Sequence, residues 1–320
     1  MNDLNNCKLT FTNKDTGNSA SITLYSHFSL ILGKDSGEGK THFFEFLRNL
    51  VRTNKLDVNN SLNLQVDFIS DDTGIRAVMD AKSRHILFID EVLALSDEHI
   101  KMLNKTKHII VCITRYDSLN IAVPMCGIYY IKRVFSDRVL FEIEKAEELR
   151  LYKGGIDTDI ILTEAREGRS ENELLSLYLD NVVSAGGGNG EIFNALSRKH
   201  KDRSVVVMMD LGNIGSLYGK LLNICRKRGN VYFYDYNCFE ELLYRSNLIN
   251  KRASDNIFNY LSLERYFEKM LERSTLGTDM YFKHGEKLPV VFLDKNNFDD
   301  IFNTDIGREI YVLIRRRGKC

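Results

Sequence analysis

The chain has 320 residues, 43% of them hydrophobic, and its 44 basic side chains balance 44 acidic ones. That length allows two domains with cores of their own, and the charge balance excludes a global field drawing the chain to nucleic acid or to a membrane. Six scattered cysteines without a C-x-x-C pair, and no apolar run near 18 residues, read as a reduced, cytoplasmic chain with no zinc frame, disulfide frame or membrane span.

Residues 7–12 and 20–25 read as strands around the loop NKDTGNS, a hairpin leading into the apolar run at 28–32. That run opens FSLILGKDSGEGKT (28–41), and the helical pattern HFFEFLRNL follows. A strand, a glycine-rich turn and a helix in this order are what a triphosphate site needs. Glycines let backbone N–H groups turn toward phosphate oxygens, and a helix N-terminus adds partial positive charge at the same spot. On this reading Gly33, Ser36, Gly37, Glu38 and Gly39 form the cradle. Lys40 reaches the β- and γ-phosphates, and the Thr41 hydroxyl holds Mg²⁺. The pattern G-x-x-x-x-G-K-[ST] is met from Gly39 onward, with Lys34 at the place of the first glycine and Gly33 one residue early.

The run LNLQVDFI (62–69) reads as the next strand, and HILFIDE (85–91) as a buried parallel strand ending on two carboxylates. Asp90 would support Mg²⁺ through water, and Glu91 would orient or deprotonate an attacking water. HIIVCIT (108–114) is a further strand, ending on Thr114-Arg115, and 128–134 with 138–144 form a hairpin closing this half. Together these segments resemble the P-loop NTPases, in the RecA-like, AAA+ and ABC branch with a catalytic glutamate beside the Walker B aspartate. The resemblance implies an ATPase domain over 1–150 with ATP and Mg²⁺ as cofactors. It makes Glu91 catalytic and Thr114 the sensor of the γ-phosphate. No ABC signature and no recognisable arginine finger occur, which implies slow hydrolysis or an arginine from another subunit, so a homo-oligomer is compatible.

The segment 151–159, LYKGGIDTD, reads as the boundary, with a second domain over 156–320. IILTE (160–164) is a strand, and SENELLSLYL (170–179) a helix with Ser170 and Glu173 spaced as a capping box. NVVSAGGGNG (181–190) is a short strand and a glycine turn, either a tight turn or a phosphate cradle. A helix, the strand SVVVMMD (204–210), the helix SLYGKLLNICRKRG and the strand NVYFYDY (230–236) follow. In the last helix, Arg226–Arg228 suit the dipole at its end. Residues 237–285 are largely helical, and REIYVLIRRRGKC is a strand with a basic tail. That tail, Arg315–Arg317 with Lys319, is either a solvated end or a nucleic-acid contact. The aromatic run 231–239 is either a buried strand or a stacking face. Strands alternating with helices predict a second parallel sheet, so the chain is α/β in both halves.

The order Glu164, helix, glycine turn, helix, strand, Asp210 resembles the Toprim fold of topoisomerases, primases and OLD-family nucleases. There a glutamate and a D-x-D pair bind Mg²⁺. The resemblance implies Glu164 and Asp210 as metal ligands at the carboxyl ends of neighbouring strands. The chain departs from the pattern in two places. The D-x-D position reads Asp210-Leu211-Gly212, and Glu164 lacks a following glycine, while Glu167-Gly168 comes late with Glu171 at the aspartate's place. A P-loop domain followed by a Toprim-like domain is the OLD-family layout. It implies ATP hydrolysis driving or gating the second domain, in nucleic-acid metabolism, mobile-element biology or phage defence. The alternatives are an ATP-gated nuclease and a non-catalytic nucleotide-binding scaffold. Beyond ATP, nucleic acid and a protein partner both stay open.

Overall fold

A computed structural model describes residues 6–33, 40–79, 81–90, 96–114, 122–136, 139–146, 149–153, 156, 158–177, 179–252, 255–297 and 300. By its internal contacts the chain divides into two units, Met1–Glu147 with Asn256–Ser262, and Glu148–Asp255 with Leu263–Cys320. Both are mixed α/β.

The unbroken apolar runs of the first unit become strands covered on both faces. β3 (Phe28–Leu32) and β7 (Ile109–Thr114) are buried at every position. With β5 (Gln65–Ile69), β6 (His85–Asp90), β8 (Ile128–Ser136) and β9 (Val139–Lys145) they form one sheet in the order β5-β6-β7-β3-β8-β9. Every pairing in it is parallel except β8 with β9. The hairpin β1 (Cys7–Asn13) and β2 (Ser19–Leu24) stands in a separate antiparallel sheet, with β4 (Leu56–Asn60) pairing to β1. The strand expected at 62–69 is β5, which starts only at Gln65, after a turn from β4 in which Asn60 accepts the Leu64 N–H at 3.0 Å. α1 (Lys40–Arg52) buries Phe43, Phe44 and Leu47. Phe43 meets Phe141 edge-on at 5.1 Å, and Phe11 of β1 stands edge-on to both Phe88 and Phe141. This aromatic cluster ties the small sheet to the large one, each pair adding about 0.5–1.5 kcal/mol beyond burial. Two short helices, α2 (Asp72–Met79) and α3 (Asp97–Leu103), complete the unit.

In the second unit β10 (Ile160–Thr163), β11 (Val182–Ser184), β12 (Val205–Met208) and β13 (Val231–Phe233) form a parallel sheet in the order β11-β10-β12-β13. α4 (Ser170–Ser176), α5 (Asn189–Asn194), α6 (Tyr218–Lys227), α7 (Phe239–Arg245), α8 (Leu263–Thr275) and α9 (Val290–Leu293) accompany it. Tyr152, Val206, Tyr234, Leu243 and Leu271 belong to its core. Arg228 follows α6, but its guanidinium bonds elsewhere, to the carbonyls of Leu196, His200 and Arg203 at 2.7–3.0 Å. Leu196 lies in the last turn of the helix after β11, and His200 and Arg203 follow its end.

The expected capping box at Ser170 does not form. Arg169 is the N-cap, without a side-chain cap bond, and Ser170 lies at φ 45°. The turn is closed from inside the helix instead: Asn172 accepts the Gly168 N–H at 3.0 Å and donates to Thr163 Oγ1 at 3.0 Å. No helix among the described residues is long and apolar enough to cross a membrane. The basic tail and its strand lie outside the described residues.

Candidate functional site

In each unit the strand order opens a crevice at the carboxyl edge, where connections from two neighbouring strands depart in opposite directions. In the first unit the neighbours are β7 and β3. The chain leaves β3 toward the β5 edge and leaves β7 toward β8 on the other side. Leu32 and Thr114 are paired in register, and Asp90 is paired with Ile113. Gly33, Thr114 and Asp90 therefore end three successive strands, and Asp90 stands roughly 10 Å from the β3 terminus, two strand spacings away.

α1 begins at Lys40 with no acid in its first turn. Its partial positive end is thus uncompensated there by side chains of its own. The Lys40 side chain runs back over the end of β3. A methyl group at Gly33 would overlap Lys40 Nζ and lie 2.9 Å from its Cδ. Gly33 is thus a place where the backbone and the Lys40 ammonium approach closely, and a larger residue there would have to displace that flexible side chain. Thr41 is exposed, Asp90 half-buried and Thr114 buried. This is a set that could hold a polyanion on Lys40 and the helix end, and a hard cation on the Thr41 hydroxyl and Asp90. Ser36, Gly37, Glu38, Gly39 and Lys34 lie outside the described residues, as do Glu91 and Arg115.

In the second unit the parting neighbours are β10, whose chain runs to β11, and β12, whose chain runs to β13. Glu164 follows β10 and Asp210 follows β12 by two residues. The fold brings them together: the Asp210 N–H donates to Glu164 Oε2 at 3.1 Å, and the Glu164 N–H donates to the Met208 carbonyl at 2.8 Å. Glu171, in the first turn of α4, reaches back to accept the Ala165 N–H at 2.8 Å. All three carboxyls are pushed upward. Burial dominates for each; for Asp210 the charges of Glu164, Glu171, Glu240 and Glu264 add to it. Glu171, 4% exposed, is raised to about 7, again by burial first. Tyr236 is buried beside them, feels the charges of Glu171, Asp210 and Glu164, and its hydroxyl has no hydrogen-bond partner among the described residues.

Sequence reasoning missed part of this edge. Glu240 in α7, Glu264 in α8 and His284 place one ligand atom each within 4.8 Å of one another. Glu240 accepts from or donates to His284 Nδ1 at 3.3 Å, according to the tautomer. First-turn acids such as Glu240 and Glu264 read in sequence only as partners of a helix dipole.

Two other signals resolve into backbone needs. Gly186, Gly187 and Gly188 sit at φ 115°, 93° and 98°, and a methyl group at Gly187 would lie 2.8 Å from Arg166 Cγ. The glycine run is thus required by its own turn, and the helix after it has only six residues, among them exposed Glu191. Gly212 is buried, its N–H donates to the Asn237 carbonyl at 2.8 Å, and a Cβ there would stand 2.5 Å from that oxygen. No side chain fits at 212. Asn237 is itself held by Glu241, whose Oε2 accepts both its backbone and side-chain N–H at 2.7 and 2.9 Å. The acids that follow β10 and β12 at this edge are therefore Glu164 and Asp210, with Glu171 behind them, and Asp210 also feels the charges of Glu240 and Glu264. Crowded carboxylates repel unless a proton or a cation lies between them, and burial with that repulsion is why all three carboxyls are pushed upward.

Compared with models of known families, with curated proteins and with solved structures, the chain matches none.

Proposed function

We propose that the chain is an Mg²⁺-dependent ATPase, its first unit a P-loop NTPase domain and its second a Toprim-like domain that responds to the nucleotide state. The observation that carries this reading is the path of Lys40. It starts the acid-free end of α1 and folds back over Gly33 at the terminus of β3, from where an ammonium reaches phosphates resting on the helix end.

Thr114 supports the same reading, because its strand runs between those of Gly33 and Asp90. A hydroxyl there stands beside both the terminal phosphate and the water that attacks it. Lys40 binds the phosphates and Thr41 and Asp90 hold Mg²⁺, which neutralises phosphate charge. Glu91, next to Asp90 in sequence, is the group that orients or deprotonates the water.

The second unit favours a transmitting or binding role over efficient cleavage. Glu164 and Asp210 suit one Mg²⁺, and the close approach of the Asn237 carbonyl to Gly212 leaves no room for a further ligand at that position. The ATP-gated nuclease is the second reading, favoured by the same two carboxylates at a strand-order reversal. Nucleic acid or a protein is then the partner that senses the ATPase.

Phosphate release under single-turnover conditions tests the proposal. Glu91→Gln should still bind ATP while release falls roughly 10²-fold or more. Unchanged release would move the base elsewhere. No release from the wild type, with or without DNA, would leave the nucleotide-binding scaffold.

A further inference from the structure

The opposite edge of the first unit's large sheet is basic. His27, Arg84 and His108 directly precede β3, β6 and β7. A pocket of about 370 Å³ opens there, with Arg84, Lys105, Lys107, His27, Phe258 and Asn259 among its walls and no carboxylate among the described residues that line it.

Arg84 is fixed in place. One guanidinium nitrogen donates to the Phe258 carbonyl and another to Asn259 Oδ1 at 3.5 Å, while its buried Nε has no partner among the described residues. His27 is 2% exposed. Its Nε2 lies 2.9 Å from the Thr106 carbonyl and so carries the proton, leaving Nδ1 buried and without a partner. Burial and Arg84 pull its pKa down to about 4, so the ring is neutral at neutral pH. Lys105 is exposed and makes no ion pair among the described residues, and the Lys107 ammonium meets the Lys82 carbonyl. Three cations thus share one concavity with no counter-charge among the described residues of its walls, and an anion is what would relieve their repulsion.

We propose that this pocket is an anion site that takes a phosphate group, with Arg84 as its anchor and Lys105 and Lys107 closing on it. The two terminal nitrogens of the Arg84 guanidinium each spend one N–H on Asn259 or Phe258 and keep a second N–H for phosphate oxygens. The exposed lysines add charge that salt would screen. The same chemistry is offered by a small phosphorylated compound and by a nucleic-acid backbone. The site shares no residue with the crevice of Lys40 and stands or falls without it.

The test uses the full chain carrying Lys40→Ala, so that the other crevice does not compete. Pyrophosphate and a short single-stranded DNA are titrated in, by calorimetry and by fluorescence anisotropy. At least one probe should bind, with affinity falling as salt rises. Lys105→Ala and Lys107→Ala, both at exposed positions, should each weaken binding roughly tenfold. Arg84→Gln should abolish it, with circular dichroism checking the fold. DNA displacing pyrophosphate would identify a nucleic-acid backbone as the ligand, and pyrophosphate binding indifferent to DNA a small anion. No binding of either probe, or binding untouched by both lysine substitutions, would overturn the proposal.

Discussion

Both units open a crevice where strand connections part at a carboxyl edge, yet the two crevices are lined by opposite chemistry. The first brings a lysine, a helix N-terminus and a hydroxyl to the ends of β3 and β7, with Asp90 one strand further on. The second brings Glu164, Asp210 and Glu171 together with no lysine or arginine hydrogen-bonded to any of the three among the described residues. Similar topology thus positions residues without deciding what they hold. On the proposed reading the lining decides it, with a polyanion suited to the first crevice and a cation to the second. The second also stores repulsion, since its carboxyls are driven toward their neutral forms by burial and by one another.

The sharpest way to break this comparison is to give the second crevice the aspartate that its resemblance lacks. Gly212→Asp should destabilise the second unit by about 3 kcal/mol, because its Cβ meets the Asn237 carbonyl at 2.5 Å. Thermal unfolding of the full chain is the measurement. A stable variant that gained metal-dependent nuclease activity would show that the crevice has room the account denies it.

Glu171→Gln probes the stored repulsion. The folded carboxyl titrates at about 7, above its ordinary 4.5. A raised folded pKa contributes stability that is full below about 4.5 and is lost as pH climbs through 7. The glutamine keeps an oxygen for the Ala165 N–H and cannot ionise. The variant should match the wild type at pH 5 and exceed it at pH 8, on the order of 1–3 kcal/mol. Equal stability at both pH values would mean that Glu171 ionises freely.

The smallest effect sharpens the same point. Carboxyl ligands must lose their protons before they bind a metal. Mg²⁺ or Mn²⁺ should therefore raise the unfolding midpoint of the second unit more at pH 8 than at pH 6, by a few degrees at most, and not in Asp210→Ala. A shift independent of pH would point to ligands outside the buried set.

How much of this was legible in the sequence depended on how local the cause was. Continuous apolar runs gave away β3, β6, β7, β10 and β12, and with them the edge on which Glu164 and Asp210 meet, since residues ending parallel strands share that edge. β4 escaped because in LDVNN the apolar alternation stops after Leu56 and Val58, with only Leu56 buried and two asparagines following. α2 carries Gly74 in its interior, which lowers helix propensity. α3 did carry a signal: Ser96 before Asp97 and Glu98 is a helix start, and its side chain accepts the His99 N–H. The Ser170 box had the right spacing but not the right backbone, since Ser170 is already past the cap. Glu240, Glu264 and His284 come from α7, α8 and a distant turn, so only tertiary packing brings them together. Residues 256–262 likewise return to the first unit from within the second, which no local pattern marks.

The central claim is that the Lys40 crevice holds a triphosphate, and calorimetric titration of the full chain with a non-hydrolysable ATP analogue and Mg²⁺ tests it most directly. One analogue should bind per chain in the wild type, and binding should fall at least roughly 10²-fold in Lys40→Ala with the circular dichroism spectrum unchanged, since the lysine sits at the start of α1 and outside the buried core. Equal affinities in the two proteins, or no binding in either, would contradict the account.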